Sequence, residues 1–338
     1  MIAFVHRDRR VTLEGGQTFN APREDGFRDT PSADLLDLIR EIEIGRPWRE
    51  AVQVRYAAAK LWLHQIITSP RRTAFFADVL PSGAGPVLEI GAGWGQIARV
   101  LAAERPVVAL EPVAERLAFI HAAAGQDGVR SRLASIGADY FDIRFETPFA
   151  IICAIGVLEW VGAFQQQTDP QERQREFLVK IRRELAPGGS LVLGIENRLG
   201  LKYLLGCPDD HLGVPYVGCL PAALARRRWD EAGHGRLQAF TYSQSELRDL
   251  LQAAGFTRIE FFGAFPDYKL PEQIIAFGEN GANLNAWLAA HDVPPEHNGY
   301  DGSPLDTMFQ RALQTRYRAM ATAGAAHPFA PSFFVRAS

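Results

Sequence analysis

The segment from residue 87 to residue 97 constrains the fold more than any other part of the chain. It reads Val-Leu-Glu-Ile-Gly-Ala-Gly-Trp-Gly-Gln-Ile, so an apolar run that contains Glu89 leads into alternate glycines. These glycines are Gly91, Gly93 and Gly95. Glycine lets the backbone turn sharply and leaves no Cβ between the main chain and a ligand. A dinucleotide fingerprint needs its third glycine where Gln96 stands, so a nicotinamide-dependent dehydrogenase is disfavoured.

Apolar strands and helical segments alternate around this glycine-rich segment. The predicted strands are 87–90, 107–110, 132–136, 149–155, 190–195, 258–262 and 332–336, and the predicted helices between them include 96–104, 114–124, 171–185 and 243–254. Continuous apolar strands separated by helices indicate a parallel sheet that is covered on both faces. We therefore expect an α/β fold.

The chain has additions to this α/β core. Residues 1–80 are predicted to be an N-terminal extension with a helical lid, containing a hairpin at residues 10–19 and helices at about 32–42 and 50–68. Residues 81–338 are predicted to form the core domain, with insertions at 196–242 and 264–331. Long connections in a compact domain are usually functional, so we expect both insertions to be caps over a site.

Composition favours a soluble cytoplasmic protein that acts on small molecules. A net charge of −3 and a pI near 6.3 give no overall attraction to nucleic acid or to an anionic membrane. Cys153, Cys207 and Cys219 are odd in number and widely spaced, as expected for reduced thiols. No signal peptide is apparent, and the apolar run 149–158 is too short to span a bilayer. The oligomeric state is not predicted.

The pattern E-x-G-x-G-x-G at residues 89–95 resembles motif I of class I S-adenosylmethionine-dependent methyltransferases. Three further segments, at 107–111, 137–145 and 154–160, are similar to later parts of the family in the same order, so the resemblance covers about residues 85–265. It implies an α/β, Rossmann-like, doubly wound seven-stranded sheet. It also implies S-adenosylmethionine as the cofactor.

The cofactor residues follow from the pattern and the resemblance together. Glu111 ends the second strand, twenty residues after Gly91, where a carboxylate can accept both ribose hydroxyls. The resemblance implies that Asp139 accepts the adenine amine, that the Tyr140 N–H meets an adenine nitrogen, and that the Gly156 carbonyl holds the methionine ammonium. An ordinary Asp-rich turn is the alternative for Asp139. Glu89, Gly91, Gly93 and Gly95 complete the predicted cofactor site.

Glu159, Asn197 and His211 are the candidate catalytic residues. Glu159 and Asn197 follow the fourth and fifth strands, at the end of the sheet where ligands bind in such folds. Glu159 can take a proton from the acceptor, and His211 can be a base at neutral pH. The alternative for His211 is a capped turn formed by residues 209–211. No residue pattern demands a metal, so none is predicted.

The simplest function is transfer of a methyl group to the oxygen or nitrogen of a small molecule, in secondary metabolism or polysaccharide synthesis. Residues 196–203, 207–211 and 266–271 are similar to methyltransferases that accompany bacterial surface-polysaccharide glycosyltransferases. One alternative is an intramolecular cyclase that forms azetidine-2-carboxylate and methylthioadenosine, with no partner beyond the cofactor. A second alternative is a cofactor-binding partner subunit without catalysis.

Overall fold

In the computed structural model, the described residues are 1–21, 28–164, 168–298 and 302–338. Strands β1 to β12 are Ile2–His6, Arg9–Leu13, Thr18–Asn20, Val87–Ile90, Val107–Leu110, Leu133–Gly137, Ile143–Phe145, Phe149–Ile155, Leu185–Glu196, Ile259–Phe265, Gln273–Ala276 and Ser332–Ala337. Helices α1 to α11 are Ser32–Glu43, Trp48–Tyr56, Leu61–Thr68, Gln96–Leu101, Ala114–Gln126, Pro170–Glu184, Leu201–Leu204, Ala222–Glu231, Gln244–Ala253, Ala282–Ala290 and Thr307–Thr322. Short 3-10 helices are Pro70–Phe76, Arg130–Arg132, Tyr140–Asp142, Leu158–Trp160, Glu279–Gly281 and His327–Phe329.

The described residues pack as two compact units. The first is drawn from residues 1–73, 81–155 and 180–191, and the second from residues 74–80, 156–179 and 192–338. Helix α6 and strand β9 contribute residues to both units. The predicted division at residue 80 stays a prediction.

The first unit contains the predicted parallel sheet. Its strand order is β3-β6-β5-β4-β8, and every neighbouring pair is parallel. The β4, β5 and β8 side chains are almost all buried, because helices cover a sheet of this kind on both faces. The Rossmann-like α/β prediction is confirmed, and β3 is an edge strand that the sequence pattern did not reveal.

The predicted hairpin at residues 10–19 was wrong. The hairpin instead joins β1 to β2, and Arg7 and Asp8 turn it with positive φ angles of 45° and 69°. Gly15 is required for a different reason, since a Cβ there would lie 1.8 Å from the Ser131 carbonyl oxygen. Gly15, which lies between β2 and β3, therefore lets the backbone approach Ser131 closely. Part of the polar stretch that follows, residues 22–27, lies outside the described residues.

The N-terminal helices pack on the glycine-rich segment of the same unit. The predicted run 50–68 is two helices, α2 and α3, because Lys60 takes a non-helical conformation with φ −144° and ψ 62°. Leu38, Ile39 and Tyr56 belong to a buried apolar cluster that also contains Trp94 and Phe119. The extension is therefore part of the first unit's core.

The second unit contains an antiparallel group of strands and the two predicted insertions. Strand β10 pairs antiparallel with β12 and with β11. The 196–242 segment contains α7 and α8, and the 264–331 segment contains β11, α10 and α11. In the part of the chain that is described, we find no helix with the length and apolar character needed to cross a bilayer.

Candidate functional site

The glycine-rich loop follows β4 and has the backbone conformation that its glycines permit. Gly91, Gly93 and Gly95 have φ angles of 67°, 55° and 70°, which side chains rarely tolerate. A Cβ at Gly95 would lie 2.6 Å from the Ile120 side chain, so this glycine also lets α5 pack closely. A Cβ at Gly93 would meet nothing nearer than the Gly91 oxygen, 4.0 Å away. A ligand can therefore approach the backbone at Gly93.

Glu111 lies at the end of β5 and is bonded to this loop. Its Oε2 accepts the Gly93 N–H at 2.8 Å, and its Oε1 accepts the Val113 N–H at 3.0 Å. Burial raises the pKa of Glu111, and Arg116 and the two backbone N–H groups oppose that rise. Each carboxylate oxygen can accept a further hydrogen bond. The open backbone at Gly93 and this carboxylate suit a ribose with two free hydroxyls, so the residues present fit S-adenosylmethionine.

Glu89 lies within β4 and is 3% exposed. Burial raises its pKa to about 8, opposed by Arg72 and by a hydrogen bond from the Ala98 backbone. A carboxyl with that pKa is protonated at neutral pH. Glu89 is therefore a neutral buried acid behind the loop, and direct contact with the cofactor stays a prediction.

Asp139 and Tyr140 have structural partners. Asp139 Oδ1 accepts the Phe141 N–H at 2.8 Å and caps the short helix 140–142. The Tyr140 hydroxyl donates to Glu184 Oε2 at 2.6 Å. The Asp-rich turn that was the alternative for Asp139 is present in the structure, and both adenine contacts stay predictions.

Gly156 directly follows β8 and belongs to the second unit. Its φ is 73°, and its N–H donates to the Gly194 oxygen at 2.9 Å. A Cβ there would lie 2.7 Å from the Tyr268 hydroxyl oxygen. Close approach of Tyr268 therefore requires a glycine at this position, while the contact with the methionine ammonium stays a prediction.

Glu159, Glu196 and His211 form a buried group, which we call the Glu–Glu–His cluster. His211 Nε2 lies 3.6 Å from Glu159 Oε1 and 3.4 Å from Glu196 Oε2. The three side chains are 0%, 2% and 5% exposed, in chain order. Within the described residues, Oε2 of Glu159 and Oε2 of Glu196 have no hydrogen-bond partner. Two predicted catalytic residues, Glu159 and His211, are thus brought together.

Charged and hydroxyl groups surround the cluster. The Tyr268 hydroxyl donates to Glu159 Oε1 at 3.2 Å, and Lys269 Nζ contacts Glu196 Oε1. Lys269 also donates to Asp210 Oδ2 at 2.9 Å, and Asp209 Oδ1 lies 3.6 Å from His211 Nδ1. These contacts orient both carboxylates and the imidazole.

The charges around His211 argue against its predicted role as a base. Burial alone would lower the pKa of His211, but Glu196, Asp209 and Glu159 raise it well above its usual value. This shift favours the protonated imidazole, so it weakens the case for His211 as a proton acceptor. Burial raises the pKa of Glu196, and Lys269 and His211 oppose the rise. The two glutamates are the better candidates for a proton acceptor.

A second set of buried charges adjoins Asp210. Lys202 Nζ lies 3.7 Å from Asp210 Oδ1 and 3.6 Å from Glu296 Oε2. Burial raises the pKa of Glu296 to about 8, and Lys202 opposes the rise. These groups hold α7 and the residues before α11 in one charged network of the second unit.

Asn197 has a structural role in the contacts that are present. Its Nδ2 donates to the Pro328 and Ala330 oxygens at 2.8 and 2.7 Å, and its Oδ1 accepts the Leu199 N–H at 3.0 Å. The side chain is fully buried. Its hydrogen-bonding capacity is largely used within the protein, so these contacts give no support to the predicted catalytic role.

A cavity of about 150 Å³ lies in the second unit. Its polar lining includes Arg198, Asp209, His211 and Glu246, and its apolar lining includes Phe240. Arg198 and Glu246 form a two-point ion pair in the wall, with distances of 2.6 and 2.7 Å. His211 thus belongs both to the Glu–Glu–His cluster and to the cavity wall.

Sequence reasoning missed Glu196, Tyr268 and Lys269. Glu196 ends β9 beside the chosen Asn197, so the rule that ligands bind at the carboxyl ends of strands should have included it. Tyr268 and Lys269 carry no comparable signal, because the fold brings a segment more than 50 residues away to the cluster.

A family model described as a methyltransferase domain matches residues 59–260. Similar solved structures include a methyltransferase from Thermotoga maritima, titled a possible histamine N-methyltransferase (16% identity, 90% of this chain and 99% of that one, TM-score 0.39). They also include a cyclopropane synthase from Mycobacterium tuberculosis (17% identity, 92% of this chain and 99% of that one, TM-score 0.43). A third is a methyltransferase from Streptomyces caelestis (19% identity, 60% of this chain and 83% of that one, TM-score 0.41).

Curated protein sequences gave no match. The family match spans more than half of the 338 residues, and it includes the glycine-rich loop and Glu111. The chain belongs to the methyltransferase-domain family and is a class I S-adenosylmethionine-dependent transferase.

Proposed function

We propose that this enzyme transfers a methyl group to an oxygen or nitrogen of a small polar molecule. The observation that carries the proposal is the second unit's cavity, where the buried His211 and several other polar side chains meet. At about 150 Å³ it is smaller than the roughly 300–1,000 Å³ typical of sites for drug-sized ligands. Such a volume supports a small acceptor.

The cavity lining also supports a polar acceptor. Arg198 and Asp209 can hydrogen-bond to hydroxyl or amine groups, while Phe240 and Leu237 contact its carbon skeleton. S-adenosylmethionine supplies an electrophilic methyl group when it is bound. The protein then needs to orient the acceptor and, for a weakly acidic nucleophile, to remove a proton.

The Glu–Glu–His cluster is the proposed site of that proton removal. Glu159 and Glu196 each keep an oxygen without a hydrogen-bond partner in the described structure, so either can receive a proton from a hydroxyl or an ammonium group. Tyr268 on Glu159 and Lys269 on Glu196 hold the two carboxylates in position. Asn197 has no part in this step.

Product analysis tests the proposal. Purified enzyme is incubated with methyl-labelled S-adenosylmethionine, first alone and then with a panel of small alcohols and amines, and the nucleoside products are identified. We expect no turnover until an acceptor is added, and then S-adenosylhomocysteine with label in the acceptor. Methylthioadenosine formed from the cofactor alone together with azetidine-2-carboxylate would instead support the cyclase alternative. A Glu111→Ala enzyme is the control for background hydrolysis.

A further inference from the structure

We infer that Glu159, Glu196 and His211 form a binding site for one divalent transition-metal cation such as Mn²⁺ or Zn²⁺. One ligand atom from each residue lies within 4.8 Å of the other two. Metal–ligand bonds of about 2.1 Å place neighbouring ligand atoms about 3.0–3.4 Å apart. The distance of 3.4 Å from His211 Nε2 to Glu196 Oε2 is close to that spacing. Glu159 approaches the same nitrogen at 3.6 Å through Oε1, and its Oε2 is the oxygen available to a cation.

Unused ligand atoms are the second observation. Oε2 of Glu159 and Oε2 of Glu196 are buried, and neither has a hydrogen-bond partner in the described chain. A buried carboxylate oxygen without a partner is costly, and a cation is one way to satisfy it. The side chains are at least nine-tenths buried, so the cluster is not an ordinary solvated acidic surface.

Neighbouring residues hold the three ligand side chains in position, as the residues around metal ligands do in metalloproteins. Asp209 lies beside His211 Nδ1, which leaves Nε2 as the ligand atom. Lys269 contacts Glu196 through Oε1, and Tyr268 donates to Glu159 through Oε1. In both glutamates the second oxygen is left for the cation.

The donor set indicates which cation would bind. Two carboxylates and an imidazole that releases its proton when the metal binds carry a charge of −2, which a dication balances. Imidazole suits zinc and related metals, whereas carboxylates suit manganese and magnesium, so Mn²⁺ and Zn²⁺ match the mixture best. His211 also lines the cavity, which gives the cation a route from solvent and a place beside a bound small molecule.

With a cation present, the two glutamates act as ligands and the cation can lower the pKa of a hydroxyl bound beside it. Without one, they remain the proton acceptors proposed above. The metal site rests on the cluster alone and does not depend on the identity of the acceptor. The two proposals can therefore fail separately.

Metal titration of the full-length protein tests the inference. The protein is treated with a chelator and dialysed, and Mn²⁺ is then added while free Mn²⁺ is followed by electron paramagnetic resonance, with neither cofactor nor acceptor present. We expect one bound Mn²⁺ per chain that Zn²⁺ displaces. Glu196→Gln and His211→Asn should weaken binding by at least about 10-fold. Glu296→Gln, which alters a buried acid outside the cluster, should bind as the wild type does.

A second measurement needs no variant. Electron spin-echo modulation from the bound Mn²⁺ should contain the coupling of one histidine nitrogen. Absence of stoichiometric Mn²⁺ and Zn²⁺ binding would overturn the inference, as would binding without nitrogen coupling or with equal affinity in folded Glu196→Gln and His211→Asn proteins. None of these results would bear on methyl transfer, which the product analysis decides.

Discussion

Glu111 gives the most direct prediction at the scale of single residues. Its carboxylate is placed for a ribose diol and also bonds the Gly93 and Val113 amides. Glu111→Ala should therefore weaken S-adenosylmethionine binding by about 1.5–3 kcal/mol, the scale for lost hydrogen bonds to a charged group. Titration calorimetry measures this change.

Glu115→Gln is a suitable control for Glu111→Ala. Glu115 is a nearby acid that pairs with Arg28 rather than with the loop, so its substitution should leave cofactor affinity unchanged. Unchanged affinity in a folded Glu111→Ala protein would remove Glu111 from the cofactor site.

Glu159 is predicted to affect turnover more than binding. Glu159→Gln preserves the shape of the side chain and removes its charge, so turnover should fall by about 10²–10⁴-fold, as for loss of a general base. Cofactor affinity, measured by calorimetry, should change little. The same loss is expected if Glu159 holds a cation that the reaction uses, and Mn²⁺ titration of the Glu159→Gln protein separates the two roles. Near-normal turnover would exclude Glu159 as the base.

How much of the site the sequence predicts depends on how local each signal is. The glycine-rich loop and Glu111 can be predicted from the sequence because an apolar strand, a turn and an acid follow one another along the chain. Glu159 can be predicted because it follows a strand. Lys269 and Tyr268 cannot be predicted, because tertiary packing brings their partners to them. Asn197 also follows a strand, but the contacts it makes are structural, and its catalytic role stays a prediction.

At the scale of elements, the chain that leads into α1 is linked to the cofactor loop. Asp29 pairs with Arg116 at 2.9 Å and accepts the Trp94 Nε1–H at 3.1 Å, and Arg116 lies 3.9 Å from Glu111. Ligand bound at Glu111 should therefore stabilise α1 and α2. We predict that S-adenosylmethionine increases hydrogen-exchange protection in these helices.

The same exchange experiment contains its own controls. The hairpin β1–β2 should not respond, and an Asp29→Asn protein should show a smaller response in α1. The segment 196–242 is also predicted to gain protection, as a cap over the site. Identical exchange with and without cofactor would mean that these elements are static scaffolding.

Sequence patterns predicted elements well where burial decides the conformation, and less well at junctions. The apolar strands β4, β5 and β8 were found with their bounds, since each is a continuous buried run. The break between α2 and α3 was missed because no glycine or proline marks it. The hairpin was misplaced because two non-glycine residues turn it.

At the scale of the whole molecule, buried acids make stability depend on pH. Glu89 in the first unit and Glu296 in the second have pKa values raised by burial from 4.5 to about 8. Between these two values the folded protein keeps a proton that the unfolded chain has lost. Stability should therefore fall as pH rises from about 5 to 8 and level off above 8.

Glutamine variants make this pH dependence testable, because glutamine resembles a protonated glutamic acid. Glu89→Gln and Glu296→Gln should each flatten the fall in the free energy of unfolding, measured with denaturant from pH 5 to pH 9. Glu246 is the contrasting acid: burial raises its pKa, but the hydrogen bonds from Arg198 and Ser243 and the Arg198 charge together outweigh burial, and the pKa falls to about 2. Its contribution is lost only in strong acid, so Glu246→Gln should not alter the slope above pH 5. Equal slopes in wild type and both glutamine variants would show that Glu89 and Glu296 ionise alike in the folded and unfolded chain.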